Sequence, residues 1–324
     1  MRTALVRLMT YVRIKTITNA EGTIVLKKQW WLIVFLIIGI LGALTACSQQ
    51  TNSKPAPRVP KKTLHLVALG DSLTYGVGDQ QNNGGYVGQI KTRLQIHLHN
   101  QVVTSNYGVS GDRSDQILRR LDQQTQFQKD VKQADVIVMT VGGNDLLQTL
   151  EKELLVNSQP KLQTAIDQAG NTYQTKLIKL LRTIRQNNPQ APLFVFSIYD
   201  PVYTYFPTVT AINDSIEKWN QITKTTLAKY PQTYFVDINH QLSYGQYQTK
   251  ASRQKLVKAA NQANRSSISQ AEVVKIMDGK GKNLNRYIST ADNFHPNHAG
   301  YRLMTKALYQ KMLKHNDFMY QERK

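Results

Sequence analysis

The sequence predicts an α/β protein, a three-layer α/β/α sandwich around a central, mostly parallel five-stranded sheet. Two observations carry this expectation. Five short runs rich in Val, Ile, Leu and Phe end near Gly, Asn or Asp, as strands buried on both faces do. Longer amphipathic stretches separate them, and that alternation argues for parallel strands joined by helical crossovers.

The apolar runs, in chain order, are "LHLVALG" (64–70), "VVTSNYG" (102–108), "ADVIVMTVGG" (134–143), "PLFVFSI" (192–198) and "TYFVDI" (233–238). Helical periodicity falls on Val87 to Leu98, Asp115 to Gln124, Gln174 to Gln186 and Ala211 to Ala228, with a last helix from about Asn297 to Lys314. No internal repeat interrupts this order. The 324 residues leave enough chain after residue 62 for one large domain with a proper core.

The amino-terminal end reads differently. Arg2, Arg7, Arg13, Lys15, Lys27 and Lys28 face a single acid, Glu21, and are followed by an uncharged apolar run from Trp30 to Leu44. That run is shorter than the roughly 20 residues a spanning helix needs. A basic flank, a short apolar core and a small-residue exit form the pattern of a secretory signal, here over residues 1–46. The exit "LTAC" resembles a bacterial lipobox, which makes Cys47, the lone cysteine, a lipidation site. An uncleaved amino-terminal anchor is the alternative. Either places the domain on the extracytoplasmic face of a bacterial membrane, and two acyl chains anchor stably where one is marginal. The basic leader is long, and a start near Val25 or Leu26 would shorten it.

Residues 47–62 are polar with three prolines between Lys54 and Lys61 and read as a flexible tether, leaving 63–324 as the domain. The formal charge of +20 favours anionic partners, and for an exported chain these are phospholipid headgroups or wall polymers of the envelope. No zinc finger, helix-turn-helix or RNA-reading sheet is present, so nucleic acid is not an expected partner.

In a parallel sheet of this kind, ligands bind outside the carboxyl ends of the strands. Polar motifs gather there: Ser72 after the first strand, "SGD" (110–112) after the second, "GGND" (142–145) after the third, and "DNFH" (292–295) before the last helix. A serine hydroxyl needs a base within hydrogen-bond reach, and His295 is the candidate. The imidazole needs a carboxylate to hold its tautomer and stabilise its cation, and Asp292 is three residues upstream. Pro296 suits the first position of the following helix. Backbone N–H of a glycine, free of a Cβ, and the amide of Asn144 are donors suited to a tetrahedral oxyanion.

"GDSLTYG", "NYGVSGD", "GGND" and "DNFHPNHAGY" resemble, in order, the four signature blocks of the GDSL (SGNH) hydrolases. The resemblance runs from residue 66 to about 314 and implies the flavodoxin-like fold of that family. It implies Ser72 as nucleophile, His295 as base and Asp292 as its acid partner. The oxyanion hole it implies comprises the Ser72 N–H, Gly111 and Asn144. Asp71, Asp112 and Asp145 read as structural hydrogen-bond partners, and His298 as a support at most; His65, His97, His99, His240 and His315 are isolated.

No H-E-x-x-H, paired cysteines or clustered acids suggest a metal, and no cofactor is implied. The absence of G-x-S-x-G disfavours a nucleophile elbow. Two segments exceed a minimal family member and are expected to border the rim: 146–190, and 241–290 with "ASRQKLVKAANQANRSSISQAEVVKIM", which reads as one or two surface helices. "YDPVYTYFP" (199–207) suits either the wall of an acyl or sugar site or packing at the strand exit.

The function this implies is a membrane-anchored serine esterase or lipase forming a Ser72 acyl-enzyme. Its substrates would be lipid esters or acetyl groups of cell-envelope polysaccharide. The alternatives are a catalytically silent envelope-binding lipoprotein on the same fold and a structural or adhesive lipoprotein.

Overall fold

A computed structural model describes residues 58–153, 159–262, 271, 275–276, 279 and 282–323. The apolar run 30–44, Cys47 and the tether up to residue 57 lie outside the described residues. The described residues open with β1 (Arg58–Pro60), β2 (Thr63–Gly70), the one-turn α1 (Ser72–Tyr75), α2 (Gly85–Leu98) and β3 (Gln101–Gly108). Next come α3 (Ser114–Gln123), α4 (Thr125–Gln133), β4 (Val136–Met139), α5 (Gly143–Glu153), α6 (Gln159–Asn187) and β5 (Leu193–Phe196). The last part holds α7 (Thr210–Leu227), β6 (Thr233–Val236), α8 (Asn239–Ser243), α9 (Lys250–Gln262), α10 (His298–Lys314) and β7 (Tyr320–Glu322).

The central sheet has the order β3-β2-β4-β5-β6, and every neighbouring pair is parallel. Counting only these strands, the order is 2-1-3-4-5, the flavodoxin-like arrangement. The order reverses between β2 and β4, and a ligand crevice belongs outside the carboxyl ends of that pair. Ser72 follows β2 directly, and Asn144 opens the helix after β4.

Period-two alternation along β2 divides the core. Leu64, Leu66 and Ala68 face one layer with Ile90 and Leu94 of α2 and Tyr301, Met304 and Leu308 of α10. Val67 and Leu69 face the other, against Ile117 of α3, Phe127 of α4, Leu177 and Leu181 of α6 and Trp219 of α7. Helices therefore cover both faces, which is why the central strands β4 and β5 lack polar alternation.

Two expectations are revised. Arg58–Pro60, assigned to the tether, pairs antiparallel with Tyr320–Glu322, with Val59 opposite Gln321. The Arg58 guanidinium also donates to Asp317 at 2.8 Å. A two-stranded ladder tolerates Pro60 because it lacks the second neighbour that a central strand must bond. Within the segment 146–190, α6 is not a rim addition over its visible apolar face: Ile166, Tyr173, Leu177, Leu180, Leu181 and Ile184 are buried in the second core layer. Its 3.6-residue period begins well before Gln174, and the polar residues between the apolar ones mask it.

Candidate active site

Ser72 is placed by a turn that needs glycine at position 70 and is capped by the Asp71 carboxylate. Gly70 ends β2 at φ +152°, and a Cβ there would lie 2.4 Å from Thr140 Oγ1. Asp71 then caps α1: its Oδ1 accepts from the Leu73 N–H at 3.0 Å and from Thr140 Oγ1 at 2.7 Å. Burial raises the Asp71 carboxyl above its ordinary value, against the hydrogen bonds from Thr140 and Leu73, which lower it. Thr74 Oγ1 meets Thr140 Oγ1 and Tyr86 OH, each at 2.8 Å. The nucleophile candidate thus stands on a buried hydroxyl network, and Asp71 serves as the cap of α1.

His295 reaches Ser72 from the other end of the chain. Its Nε2 lies 2.8 Å from Ser72 Oγ, and its Nδ1 lies 2.6 Å from Asp292 Oδ2. The other oxygen of Asp292 accepts the backbone N–H of Phe294 at 2.9 Å and of His295 at 3.0 Å. Asn293, at φ +49°, closes the turn, a conformation that asparagine tolerates better than most residues. Burial pushes the Asp292 carboxyl up, but the His295 ring, the two backbone donors and the charge attraction of His295 outweigh it and hold Asp292 below its ordinary value. It stays ionised and accepts from Nδ1–H. Pro296 is not the first helical residue. It bridges to Ile288, and Asn297 caps α10 by accepting from Gly300 N–H at 3.0 Å.

Gly111 and Asn144 are linked through Asp112. Asn144 Nδ2 donates to the Asp112 carbonyl at 2.9 Å, while Val109 N–H donates to the Gly70 carbonyl at 3.0 Å. The loop holding Gly111 is therefore tied to both the Asn144 helix and the strand end beside Ser72. Gly111 has φ +84°, and a Cβ there would meet nothing within 4 Å. Backbone conformation, rather than crowding within the chain, calls for glycine. Asp112 pairs with Arg120 Nε at 2.6 Å, and Arg120 Nη2 donates to the carbonyls of Tyr107 and Gly70 at 3.0 and 3.2 Å. Asp145 accepts from the N–H and hydroxyl of Ser114 at 2.9 and 2.7 Å. All three flanking aspartates are engaged in holding the backbone.

A cavity of about 50 Å³ adjoins Ser72 and Asn144, with Tyr199 and Phe294 in its wall. Gly111 is not among its lining residues. The aromatic stretch after β5 divides between two environments. Tyr199 faces the cavity, whereas Val202, Tyr205 and Phe206 form a separate apolar cluster. His298 bonds Asp79 at 2.9 Å, and His240 bonds Glu217 at 3.1 Å. His315 stacks on Tyr234, and His97 meets Tyr309 edge-on. Among the described residues, no group of three or more His, Cys, Asp or Glu is placed to hold a metal.

Thr140, Arg120 and Asp79 are supports that motif reading missed. Thr140 precedes "VGGND", and Asp79 lies shortly after "GDSLTYG", so their nearness to the motifs was a usable signal. Nothing in the sequence separates Arg120 from its neighbour Arg119, since only the fold shows which one turns inward.

Strand order 2-1-3-4-5 and a serine, histidine and aspartate meeting at its switch point define a serine hydrolase of the α/β/α type. The chain belongs to the GDSL-like lipase/acylhydrolase family, whose model matches residues 68–303, and is a serine ester hydrolase. It is 30% identical over 292 residues to the uncharacterized protein YpmR of Bacillus subtilis, covering 89% of this chain and 98% of that one. It is 30% identical over 175 residues to the spore germination lipase LipC of Bacillus licheniformis, covering 54% of this chain and 80% of that one. Among solved structures, the lipase Lip_vut3 from a goat rumen metagenome is 25% identical with a TM-score of 0.54, covering 76% of this chain and 96% of that one.

Proposed function

We propose that this hydrolase cleaves carboxylic esters through a Ser72 acyl-enzyme, on the extracytoplasmic face of a bacterial membrane to which Cys47 tethers it. The observation that carries the catalytic assignment is the unbroken hydrogen-bonded path from Asp292 Oδ2 through His295 to Ser72 Oγ, at 2.6 and 2.8 Å. Ser72 Oγ attacks the ester carbonyl carbon while its proton passes to His295 Nε2. The carbonyl oxygen becomes an oxyanion, facing the Ser72 and Gly111 N–H groups and the Asn144 amide. Collapse expels the alcohol, which takes the proton from Nε2. Water then attacks the acyl-enzyme, gives a proton to Nε2, and the acid leaves as Ser72 Oγ takes that proton back.

Ionised Asp292 holds Nδ1–H in place and stabilises the imidazolium formed in each half-reaction. Nothing in this sequence of steps requires a cofactor. The substrates we assign are esters of the cell envelope, either lipid esters or acyl groups on polysaccharide. The lipobox-like "LTAC" and the excess of Lys and Arg support this location.

Hydrolysis of p-nitrophenyl esters by the full chain, beside Ser72→Ala and His295→Ala, tests the catalytic reading. Loss of turnover in both variants is the expected result, and activity persisting in Ser72→Ala overturns it. Incorporation of labelled palmitate in cells, abolished by Cys47→Ala, tests the anchor.

A further inference from the structure

The space beside Ser72 is small, and its size bears on which acyl group the enzyme accepts. This inference rests on the proposed role of Ser72. Ser72 and Asn144 both line the cavity, so a carbonyl bonded to Ser72 Oγ with its oxygen toward Asn144 directs its acyl substituent there. About 50 Å³ lies between its walls, and the remaining side opens to solvent. A water-sized group occupies roughly 10–15 Å³ of such space, so the walled part holds about three to five heavy atoms. An acetyl group supplies a carbonyl carbon, its oxygen and a methyl. A butyryl group fills the space to its limit, and an octanoyl group exceeds it.

The walls are held where they are. Val141, only 2% exposed, continues the line of β4. The Asn220 side chain grips the backbone of Ile198 on both sides, accepting its N–H at 2.8 Å and donating to its carbonyl at 2.9 Å. A Cβ on Gly143 would stand 3.7 Å from Ile198 Cγ2, so Ile198 closes the space directly opposite the start of α5. Tyr199 OH donates to the Phe294 carbonyl at 2.6 Å, which fixes the remaining wall to the turn that carries His295. Widening the site therefore requires breaking bonds made by buried groups.

We infer that the acyl site is built for an acetyl group, with Ile198 as the residue that limits chain length. The substrates that fit are acetyl esters of a larger alcohol rather than long-chain fatty esters. The alcohol portion leaves toward solvent and is not restricted by this cavity.

The test is kcat/KM of the full chain on acetyl, butyryl and octanoyl p-nitrophenyl esters, for wild type, Ser72→Ala and Ile198→Ala. Wild type is expected to prefer acetyl over butyryl by about 10-fold and over octanoyl by about 100-fold, as overfilling a packed site demands. Ile198→Ala is expected to raise the butyryl-to-acetyl ratio about 10-fold. Octanoyl turnover equal to acetyl in wild type, with Ser72→Ala inactive, overturns the size limit and leaves the nucleophile standing. Turnover unchanged in Ser72→Ala overturns both. Should Ile198→Ala fail to fold by circular dichroism, the wild-type series decides alone.

Discussion

Asp79 and His298 form a second carboxylate–imidazole pair beside the first, with Asp79 Oδ1 2.9 Å from His298 Nδ1 and the carboxylate almost wholly buried. The other Asp79 oxygen accepts the Gly85 N–H at 3.0 Å, so one side chain joins the loop after α1 to the starts of α2 and α10. Gly78, at φ +86°, lies against the back of His295: a Cβ there would be 3.1 Å from His295 Cβ and 2.7 Å from the Pro296 carbonyl. The pair therefore braces the loop that backs His295. Burial pushes the Asp79 carboxyl up, but the His298 ring and the Gln81 and Gly85 N–H groups outweigh it and hold it below its ordinary value.

Asp79→Asn is accordingly expected to lower kcat about 10-fold with KM nearly unchanged, since a small displacement of a reacting group is costly. The stability effect has a defined sign. A carboxyl lowered on folding stabilises the fold above its ordinary value of 3.8 and loses that contribution as pH falls through its folded value. The Tm gap between wild type and Asp79→Asn should be widest above the ordinary value of 3.8 and narrow as pH falls below it. A gap constant over that range would show that the charge plays no part.

With Asn144 as the proposed oxyanion donor, Asn144→Ala is expected to cut kcat by about 10²–10³ while leaving KM within a few-fold. It also removes the bond to the Asp112 carbonyl, which costs about 1 kcal/mol of stability and leaves the protein folded. Steady-state kinetics beside a thermal melt separates the two effects. A matching fall in Tm and turnover would reduce Asn144 to a loop anchor.

The centre of the sheet was legible because β4 and β5 are buried throughout, and a run such as "VIVM" has few other places to go. The four motif blocks were legible because each stands at a strand end or before the last helix. Two kinds of feature were not. α4 and α5 are short, polar helices whose apolar residues are too few to show a period, although Phe127, Val131 and Leu146 are buried. The supports of the site escaped because their importance comes from distance in the chain. Thr140 matters through Asp71, 69 positions away, and Asp79 through His298, 219 positions away.

Arg120 joins Asp112 to the carbonyls of Tyr107 and Gly70, and so ties the Gly111 loop to the strand end beside Ser72. Lysine keeps the charge but not the planar fork that serves three acceptors. Arg120→Lys is therefore expected to destabilise the fold by about 1–3 kcal/mol and to lower kcat more than it raises KM. Chemical denaturation and kinetics on an acetyl ester check this. Unchanged kcat with reduced stability would confine Arg120 to holding the core.

Asp200 offers a prediction of opposite sign to Asp79. It lies at the end of the strand-exit segment, 2% exposed, with Oδ1 accepting the Val202 N–H at 2.9 Å. Its own N–H donates to Ser243 Oγ at 2.8 Å. Burial pushes its carboxyl up to about 7, only partly opposed by hydrogen bonds from the Val202 and Tyr203 backbone. In the unfolded chain it ionises near its ordinary value of 3.8, so the folded state binds the extra proton between these limits. Stability is full below about pH 4 and falls as pH rises toward 7, by up to about 1.4 kcal/mol per pH unit. Asparagine retains the acceptor for Val202 and carries no proton to lose. Asp200→Asn should raise Tm by several degrees at pH 8 and leave it nearly unchanged at pH 4. Thermal unfolding of both proteins at the two pH values measures this. A lower Tm for the variant at pH 8 would mean that ionised Asp200 is stabilised in the fold after all.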